Sequence, residues 1–339
     1  MNNELVSIII PFYRGEKHIE NAIDSIIKQT YQNFEVLLIE NGPKDLSEQI
    51  ISRYNDNRLK YHYIREGNVS NARNFGMKIA KGKYIYFMDG DDTINNNLLE
   101  LCVSTLNKQK VDLVMFNFNK VSKDSTSKVT LPWSNMILNK KRIQDELIPP
   151  MVSVEKGEKS IMGTVWRIFT YKDKIEKFEF DKNIKIAEDM LFCIKVFNSI
   201  DNIYVLNDTL YNYTLSSSST LNTSKLDVIY QSITYHKILK RILIEEGLYN
   251  KEMERRFYKN QGRMYTTAIS YASRNKNKEL AQSSIYNIIK IYKSDNYNYF
   301  KLNYPTSIKI SFLMMELKMT HLLYYIYSIK EKRRIKNYN

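Results

Sequence analysis

Five short strand-like runs, most of them continuously apolar, alternate with segments of helical spacing over the first 118 residues. The runs are "LVSIII" (5–10), "NFEVLLIEN" (33–41), "LKYHYIR" (59–65), "KYIYFMD" (83–89) and "VDLVMFNF" (111–118). Between them stand "KHIENAIDSIIKQ", "SEQIISRYN", "SNARNFGMKIAKG" and "NNLLELCVSTLNKQ". A run that is apolar at consecutive positions marks a strand buried on both faces. Strand and helix in alternation therefore predict an α/β fold with a parallel, doubly wound sheet. In such sheets ligands bind beyond the carboxyl ends of the strands. That rule gathers Pro11 and Tyr13, Glu40 and Asn41, and Asp89 with its neighbours at one mouth. The "SNARNFGMKIAKG" helix is expected to start near Ser70 or Asn71 and to stop at Gly82.

The fourth run ends in unusual charge. "KGKYIYFMDGDD" drives aromatic and aliphatic residues straight into Asp89, Asp91 and Asp92. Carboxylates this close repel one another and need a cation. Two of them, one residue apart at a strand tip, suit a single hard divalent ion, Mg²⁺ or Mn²⁺, which completes its shell with substrate phosphates. The same residues also fit a turn leading into a helix, with Asp92 or Thr93 as its cap.

Bulk properties narrow the partners. A formal charge of +14 and a pI near 9.4 imply an anionic one, whether nucleotide phosphates, acidic lipid headgroups or nucleic acid. The basic residues are dispersed and carry no nucleic-acid motif, which argues against the last. Cys102 and Cys193 lie in apolar contexts without metal or redox spacing, as expected of buried thiols in a reducing cytosol. Four scattered histidines argue against a His-cluster zinc enzyme. "MNNELVSIIIPFY" lacks a basic n-region and does not read as a signal peptide. No window reaches the roughly 18 apolar residues of a spanning helix. The expectation is a cytoplasmic protein, soluble or peripheral on the inner face of the plasma membrane.

Three longer segments, in order, carry a family likeness. They are "VSIIIPFYRGEKHIENAIDSIIKQTYQNFEVLLIENG", "GNVSNARNFGMKIAKGKYIYFMDGDD" and "GTVWRIFTYKDKIEKFEFDKNIKIAEDMLF". Together they resemble the nucleotide-binding segment, the Ala-Arg-Asn helix with its Asp-x-Asp motif, and the Glu-Asp segment of the family 2 glycosyltransferases, bacterial enzymes of the GT-A fold. The resemblance spans residues 5 to 215. It implies a catalytic domain over 1–220, with a nucleotide-sugar-binding half at 1–118 and an acceptor-binding half at 119–220.

The resemblance also implies roles. Pro11, Tyr13 and Glu16 would line the nucleoside pocket, with Tyr13 near the base. Glu40 stands where the family usually has an Asp directed at base or ribose, and Asn41-Gly42-Pro43 replaces its Asp-Gly-Ser, which bears on nucleotide selectivity. Asn68 and Arg73 would approach the base and the phosphates. Asp89, Gly90 and Asp92 belong to the donor site, and Asp91 with Asp89 would hold the metal. Asp189, beside Glu188, would be the catalytic base. Inverting transfer needs one carboxylate to take the acceptor's proton and a cation opposite to stabilise the leaving diphosphate. The competing reading of Glu188-Asp189 is a favourable first-turn charge. Trp166 lies in the acceptor region, where its face would stack on a sugar; a core tryptophan is the rival reading. Tyr213 or Ser217 would line a flap over the diphosphate, where some relatives place a metal-binding histidine that this chain lacks.

From "SSSST" onward, over 221–339, the spacing is helical. The end, "YYIYSIKEKRRIKNYN", sets tyrosines beside Lys330, Lys332, Arg333, Arg334 and Lys336. Such a helix suits an anionic membrane surface, and equally a solvated helix end. Met314, Met315 and Leu317 leave a homodimer open. The expected function is metal-dependent, inverting transfer of a hexose or N-acetylhexosamine from a nucleotide-diphosphate sugar, UDP-linked, to a saccharide acceptor. Capsule, lipopolysaccharide and teichoic acid glycans all fit, and such acceptors are often lipid-linked. A sugar-phosphate nucleotidyltransferase would want a Gly-rich loop after the first strand, which "PFYRGEKH" is not. A non-catalytic nucleic-acid-binding protein is the third alternative.

Overall fold

A computed structural model describes residues 3–65, 67–215, 225–275 and 277–336, with backbone alone at 225–230 and 332–336. The chain divides into two units, Met1–Met151 with Glu155–Ser219, and Val152–Val154 with Thr220–Asn339. Ser217 and the side chains of Lys332, Arg333, Arg334 and Lys336 lie outside the described residues.

The first unit is built on one ten-stranded sheet. Its strands are β1 (Val6–Phe12), β2 (Phe34–Asn41), β3 (Leu59–Ile64), β4 (Tyr84–Phe87), β5 (Thr93–Ile94), β6 (Leu113–Val121), β7 (Thr126–Val129), β8 (Met136–Asn139), β9 (Ile168–Tyr171) and β10 (Asn202–Thr214). They lie in the order β3-β2-β1-β4-β9-β6-β10-β5, with β7 beside β6 and β8 beside β10. The strands β3, β2, β1 and β4 are parallel to one another, and β6 is parallel to β10. The strand order differs from the sequence expectation in one respect. The short "IFTY" strand, β9, inserts antiparallel between β4 and β6, so the fifth expected strand does not neighbour the fourth. "IYVLND" and "LYNYTL" form one strand, β10, carried past Asn207 and Asp208 by irregular register between Val205 and Tyr211. The expected division at 118 falls inside β6, and both halves share the sheet.

The central strands β1, β2 and β4 are buried at every position because helices cover both faces. On one side the Ile19–Ile27 helix buries Ile19, Ala22, Ile23 and Ile26, at the three-and-four spacing of a core-facing stripe. They join Ile8, Ile10, Val36 and Leu38 in one cluster. On the other side the Val69–Ile79 helix lies so close to the sheet that a Cβ on Gly76 would stand 2.4 Å from Ile9 Cγ2 and 2.8 Å from Ile39 Cδ1. This helix ends at Ile79, with Ala80 as its C-cap, before the glycine expected to stop it. Gly82 serves the sheet instead: a Cβ there would meet the Ser7 backbone nitrogen at 2.5 Å. The buried Glu35 accepts from Ser7 Oγ at 2.6 Å and from the Lys81 amide at 2.7 Å, closing off the amino-terminal edge of the sheet.

At the carboxyl ends, β1 pairs with β2 on one side and with β4 on the other. That is the switch point where an open α/β sheet leaves a crevice. The pairing of β1 with β4 ends at Ile9 and Phe87. The loop after β4 then folds over the last turn of β1, and Gly90 comes so near that a Cβ would stand 2.7 Å from Phe12 Cβ.

The second unit contains the helices Lys225–Glu245, Lys251–Ala272, Lys278–Ser294, Thr306–Glu316 and Thr320–Lys336. Aromatic residues fill its interior: Tyr292 stacks on Phe312 at 5.9 Å, and Tyr299 donates to Asp295 at 2.8 Å. Among the described residues, no helix is long and apolar enough to cross a membrane.

Gly76 offers a direct test of this packing. In an open helix, Gly→Ala gains about 1 kcal/mol. Here the added methyl overlaps two buried isoleucines, and overpacking of that kind costs roughly 1–3 kcal/mol. Gly76→Ala is expected to lower the urea midpoint; an unchanged or raised midpoint would show that the helix stands off the sheet.

Candidate active site

The crevice is organised by one cation. Arg73 lies at the centre of the Val69–Ile79 helix, and its side chain is only 4% exposed. Its Nη2 donates to Asp89 at 3.0 Å. Its Nη1 donates to Glu188 at 3.0 Å and also to Asp189. The guanidinium therefore joins the tip of β4 to the head of the Glu188–Ser199 helix, across more than 100 residues of sequence. Burial alone would lower the proton affinity of Arg73, but the Asp189, Asp89 and Glu188 carboxylates outweigh it and raise its pKa. Asp189 is held above the ordinary carboxylate range, first by burial and then by Glu188 and Asp89, against the pull of Arg73. Its second oxygen accepts from the Val165 amide at 3.3 Å.

The helix also holds the backbone that carries Glu188 and Asp189. Asn74 Nδ2 donates to the Phe180 carbonyl at 2.9 Å, and the Phe180 amide donates back to Asn74 Oδ1 at 2.8 Å. Ser70 Oγ donates to the Asp181 carbonyl at 3.1 Å, and Asn68 Nδ2 to the Lys182 carbonyl at 2.7 Å. The chain then turns through Ala187 in the left-handed region at φ 58°. That conformation is costly for a residue with a Cβ; here it delivers Glu188 and Asp189 together to Arg73.

The acidic loop sorts its three aspartates by environment. Asp91 is exposed to the crevice. Desolvation by surrounding protein, then the neighbouring Asp89, raise its pKa. Asp89 is partly exposed and shares Arg73. Asp92 is buried, accepting from Tyr211 Oη at 2.5 Å and from the Thr214 amide at 2.6 Å. Tyr211 Oη also accepts from the Asp89 amide at 3.2 Å, so one phenol ties the loop to β10. Three carboxylates face a single guanidinium, and no lysine or arginine pairs with Asp91 among the described residues. That donor set fits a hard divalent cation. No group of three or more His, Cys, Asp or Glu side chains is ready-made for a metal among the described residues. A cation at Asp91 and Asp89 would thus draw its remaining ligands from a bound diphosphate and water.

Comparison with known proteins agrees with this geometry. Residues 7–156 match the sequence model of Glycosyl transferase family 2. Over that segment, 150 of its 339 residues, the chain is similar to members of this family. The uncharacterized glycosyltransferase EpsJ of Bacillus subtilis is 32% identical over 214 residues, covering 62% of this chain and 60% of EpsJ. The minor teichoic acid biosynthesis protein GgaB of the same organism is 29% identical over 228 residues, covering 65% of this chain and 24% of GgaB. The chain thus spans less than two thirds of either relative's length. Among solved structures, S. aureus TarS 1-349 in complex with UDP-GlcNAc aligns with a TM-score of 0.63 at 17% identity, over 97% of this chain and 92% of that one. This likeness shows the GT-A fold.

Within the family 2 framework, the residues expected at the site divide into two groups. In the first, Tyr13, Glu16 and Asp91 are exposed, Asp89, Glu188 and Asp189 are partly exposed, and Pro11 and Gly90 are buried among them. Tyr13 is exposed, and its ring lies over Gly42, where a Cβ would stand 2.6 Å from it; Gly42 also takes φ +120°, which favours glycine. The Glu16 amide donates to Asp45 at 3.1 Å, joining the loops that follow β1 and β2.

The second group supports the site from within. Glu40 is wholly buried and accepts from Tyr61 Oη and from the Asp45 amide at 3.2 Å. Its extra methylene carries the carboxylate inward, so it braces the loop rather than meeting a base. Asn68 caps the Arg73 helix, accepting from the Ser70 amide at 2.8 Å. Arg73 is spent on carboxylates and is no phosphate ligand in this arrangement. Asp92 has both oxygens engaged by Tyr211 and the Thr214 amide. Trp166 is 2% exposed and stacks on Tyr211 at 4.4 Å and 9°, so the face expected to meet an acceptor meets a tyrosine. Tyr213 stacks on the same ring at 5.8 Å. Sequence reasoning passed over Asn74, Ala187 and Tyr211. The "YNYT" alternation in β10 was the available signal for Tyr211.

Removing the central cation tests the arrangement. Arg73→Gln leaves Asp89, Glu188 and Asp189 together without counter-charge, a loss worth about 3–5 kcal/mol for a buried network. Asp189, already held above the ordinary carboxylate range, then loses the cation that lowers its proton affinity. The folded state binds more protons than the unfolded one, so stability falls as pH rises. Urea unfolding is expected to show a deficit that is largest at neutral pH and shrinks at mildly acid pH. A deficit independent of pH would mean that the three carboxylates do not depend on Arg73.

Proposed function

We propose that the chain is an inverting glycosyltransferase that moves a hexose or N-acetylhexosamine from a UDP-linked donor to a saccharide acceptor in teichoic acid or related surface-polysaccharide synthesis. The observation that carries the reading is the Arg73 bridge, which ties Asp89, the neighbour of the exposed Asp91, to a separate, partly buried carboxylate pair, Glu188 and Asp189. TarS, solved in complex with UDP-GlcNAc and with UDP, supports the donor class. GgaB, a teichoic acid biosynthesis protein, supports the pathway class.

In this reading Tyr13 receives the base over the Gly42 turn. Asp91 and Asp89 hold Mn²⁺ or Mg²⁺. When bound, that ion supplies Lewis-acid stabilisation to the departing diphosphate. Asp189 takes the proton from the acceptor hydroxyl as its oxygen attacks the anomeric carbon, and the bond to the UDP oxygen breaks on the opposite face. A common α-linked donor then yields a β-linked product. Arg73 and the Val165 amide hold one Asp189 oxygen each. That fixes the carboxylate's plane before the acceptor arrives, which is the positional part of catalysis. Glu188 shares the guanidinium and keeps it from neutralising Asp189 outright.

Titration calorimetry separates the roles. UDP should bind the parent protein more tightly with Mn²⁺ than without it, and Asp91→Ala should abolish the difference. Asp189→Asn should keep metal-enhanced UDP binding and lose turnover by about 10²–10⁴-fold, the usual worth of a general base. Full turnover in Asp189→Asn would remove it as the base. No UDP binding to the parent under either condition would overturn the donor assignment.

A further inference from the structure

The charge of this chain is sharply segregated. Residues 220–339 carry 22 Lys and Arg against 9 Asp and Glu, which is +13 of the chain's +14. The sheet unit is therefore almost neutral, and its crevice is acidic. The anionic partner that the net charge implies is a matter for the helical unit.

That unit also exposes an apolar edge. On the Thr306–Glu316 helix and just past it, Ile310, Leu313 and Leu317 stand at i, i+3 and i+7, on one face. Leu313 is 50% and Leu317 62% exposed, while Phe312 and Met315 on the opposite face are fully buried. The chain reverses through Lys318, at φ 54°. The Met319 amide donates to Met314 at 2.8 Å and the Lys318 amide to Met315 at 3.1 Å, the paired bonds of a Schellman turn. The next helix opens with Leu322 and Tyr325 outward, Tyr325 at 63% exposure, and Leu323 and Tyr327 inward. An exposed lysine thus sits at the tip of a helical hairpin between the exposed Leu317 and Met319.

The segment that carries this edge is predominantly basic. Residues 299–339 contain 8 Lys and Arg and only two acids, Glu316 and Glu331. Glu316 accepts from Tyr292 Oη at 2.8 Å and lies 3.7 Å from Lys293. Glu331 is buried against Arg274 at 2.8 Å. Neither acid is left to offset the exposed cations.

We propose that the Leu317–Met319 turn and the outward faces of the two helices it joins form a docking surface for an anionic lipid bilayer. Apolar side chains enter the boundary between headgroups and acyl chains, and lysines reach back to the phosphates, the division of labour expected of an interfacial amphipathic element. The charge pattern selects this occupant. A second copy would bring two like-charged rims together, which opposes association. Nucleic acid would leave the leucines and Tyr325 in contact with water.

The test is flotation of the full chain with vesicles of phosphatidylcholine alone and of phosphatidylcholine with phosphatidylglycerol. The parent protein should float only with the phosphatidylglycerol vesicles, and added salt should weaken the association. Leu313→Glu with Leu317→Glu should lower the bound fraction by about tenfold or more. Because both side chains are exposed, the circular dichroism spectrum and melting midpoint should stay unchanged. Lys318→Glu should weaken binding by less. The proposal is overturned if the parent does not float with anionic vesicles, or if the double variant floats as well as the parent. It is also overturned if sedimentation velocity shows a dimer that the double variant disperses while the parent ignores vesicles.

Discussion

The shared guanidinium of Arg73 is the constraint on which the catalytic crevice depends. Its three carboxylate partners come from two segments that no local structure brings together. Each is tolerable near the others only because the cation lies between them. A single charge cannot neutralise three, so the cluster stays negative and Asp189 is held above the usual carboxylate range. The imbalance is chemically useful. A carboxylate with raised proton affinity is a stronger base than an ordinary aspartate once it has lost its proton. Its orientation is fixed by the guanidinium and an amide rather than by solvent.

Arg73 can occupy that place only because of its helix. Gly76, one turn further on, lets the helix backbone approach β1 and β2 more closely than any residue with a side chain would. Asn68, Ser70 and Asn74 then bind the carbonyls of three consecutive residues, Lys182, Asp181 and Phe180. One helix thus carries sheet packing, loop anchoring and site electrostatics. This explains why the segment mixes small and polar residues where an ordinary surface helix would place long charged ones.

Much of this was legible in the sequence, and the limits have physical causes. Continuous apolar runs announce doubly covered strands, so β1, β2 and β4 and the crevice at their ends followed directly. The four residues of β9 carry no such pattern, and their antiparallel insertion is decided by pairing with β4 and β6. Asn207 and Asp208 look like a turn, yet β10 absorbs them as an irregularity. At the site, the motif located the right loop but not the role of each member. Asp91 and Asp92 are adjacent, and one faces the crevice while the other is buried under Tyr211 and Thr214. The same limit applies to Glu40 and Trp166. Each sits at the expected place in the chain with its functional group turned into the protein, and only packing determines that direction.

The segregation of charge changes how affinity for a diphosphate should arise. A near-neutral unit with an acidic crevice cannot attract an anion through its overall field, and at physiological ionic strength that field fades within about 8 Å. Under the proposed function, recognition would come from short-range terms: a cation held by Asp91 and Asp89, and the face of Tyr13. Long-range attraction belongs instead to the helical unit. The two units therefore meet their anionic partners by different physics. Under the proposed function donor capture would depend on the cation and only weakly on salt, and at the proposed docking surface association would depend on salt and not on the cation. A protein arranged in this way can remain at a charged surface while its crevice binds and releases nucleotide on its own terms.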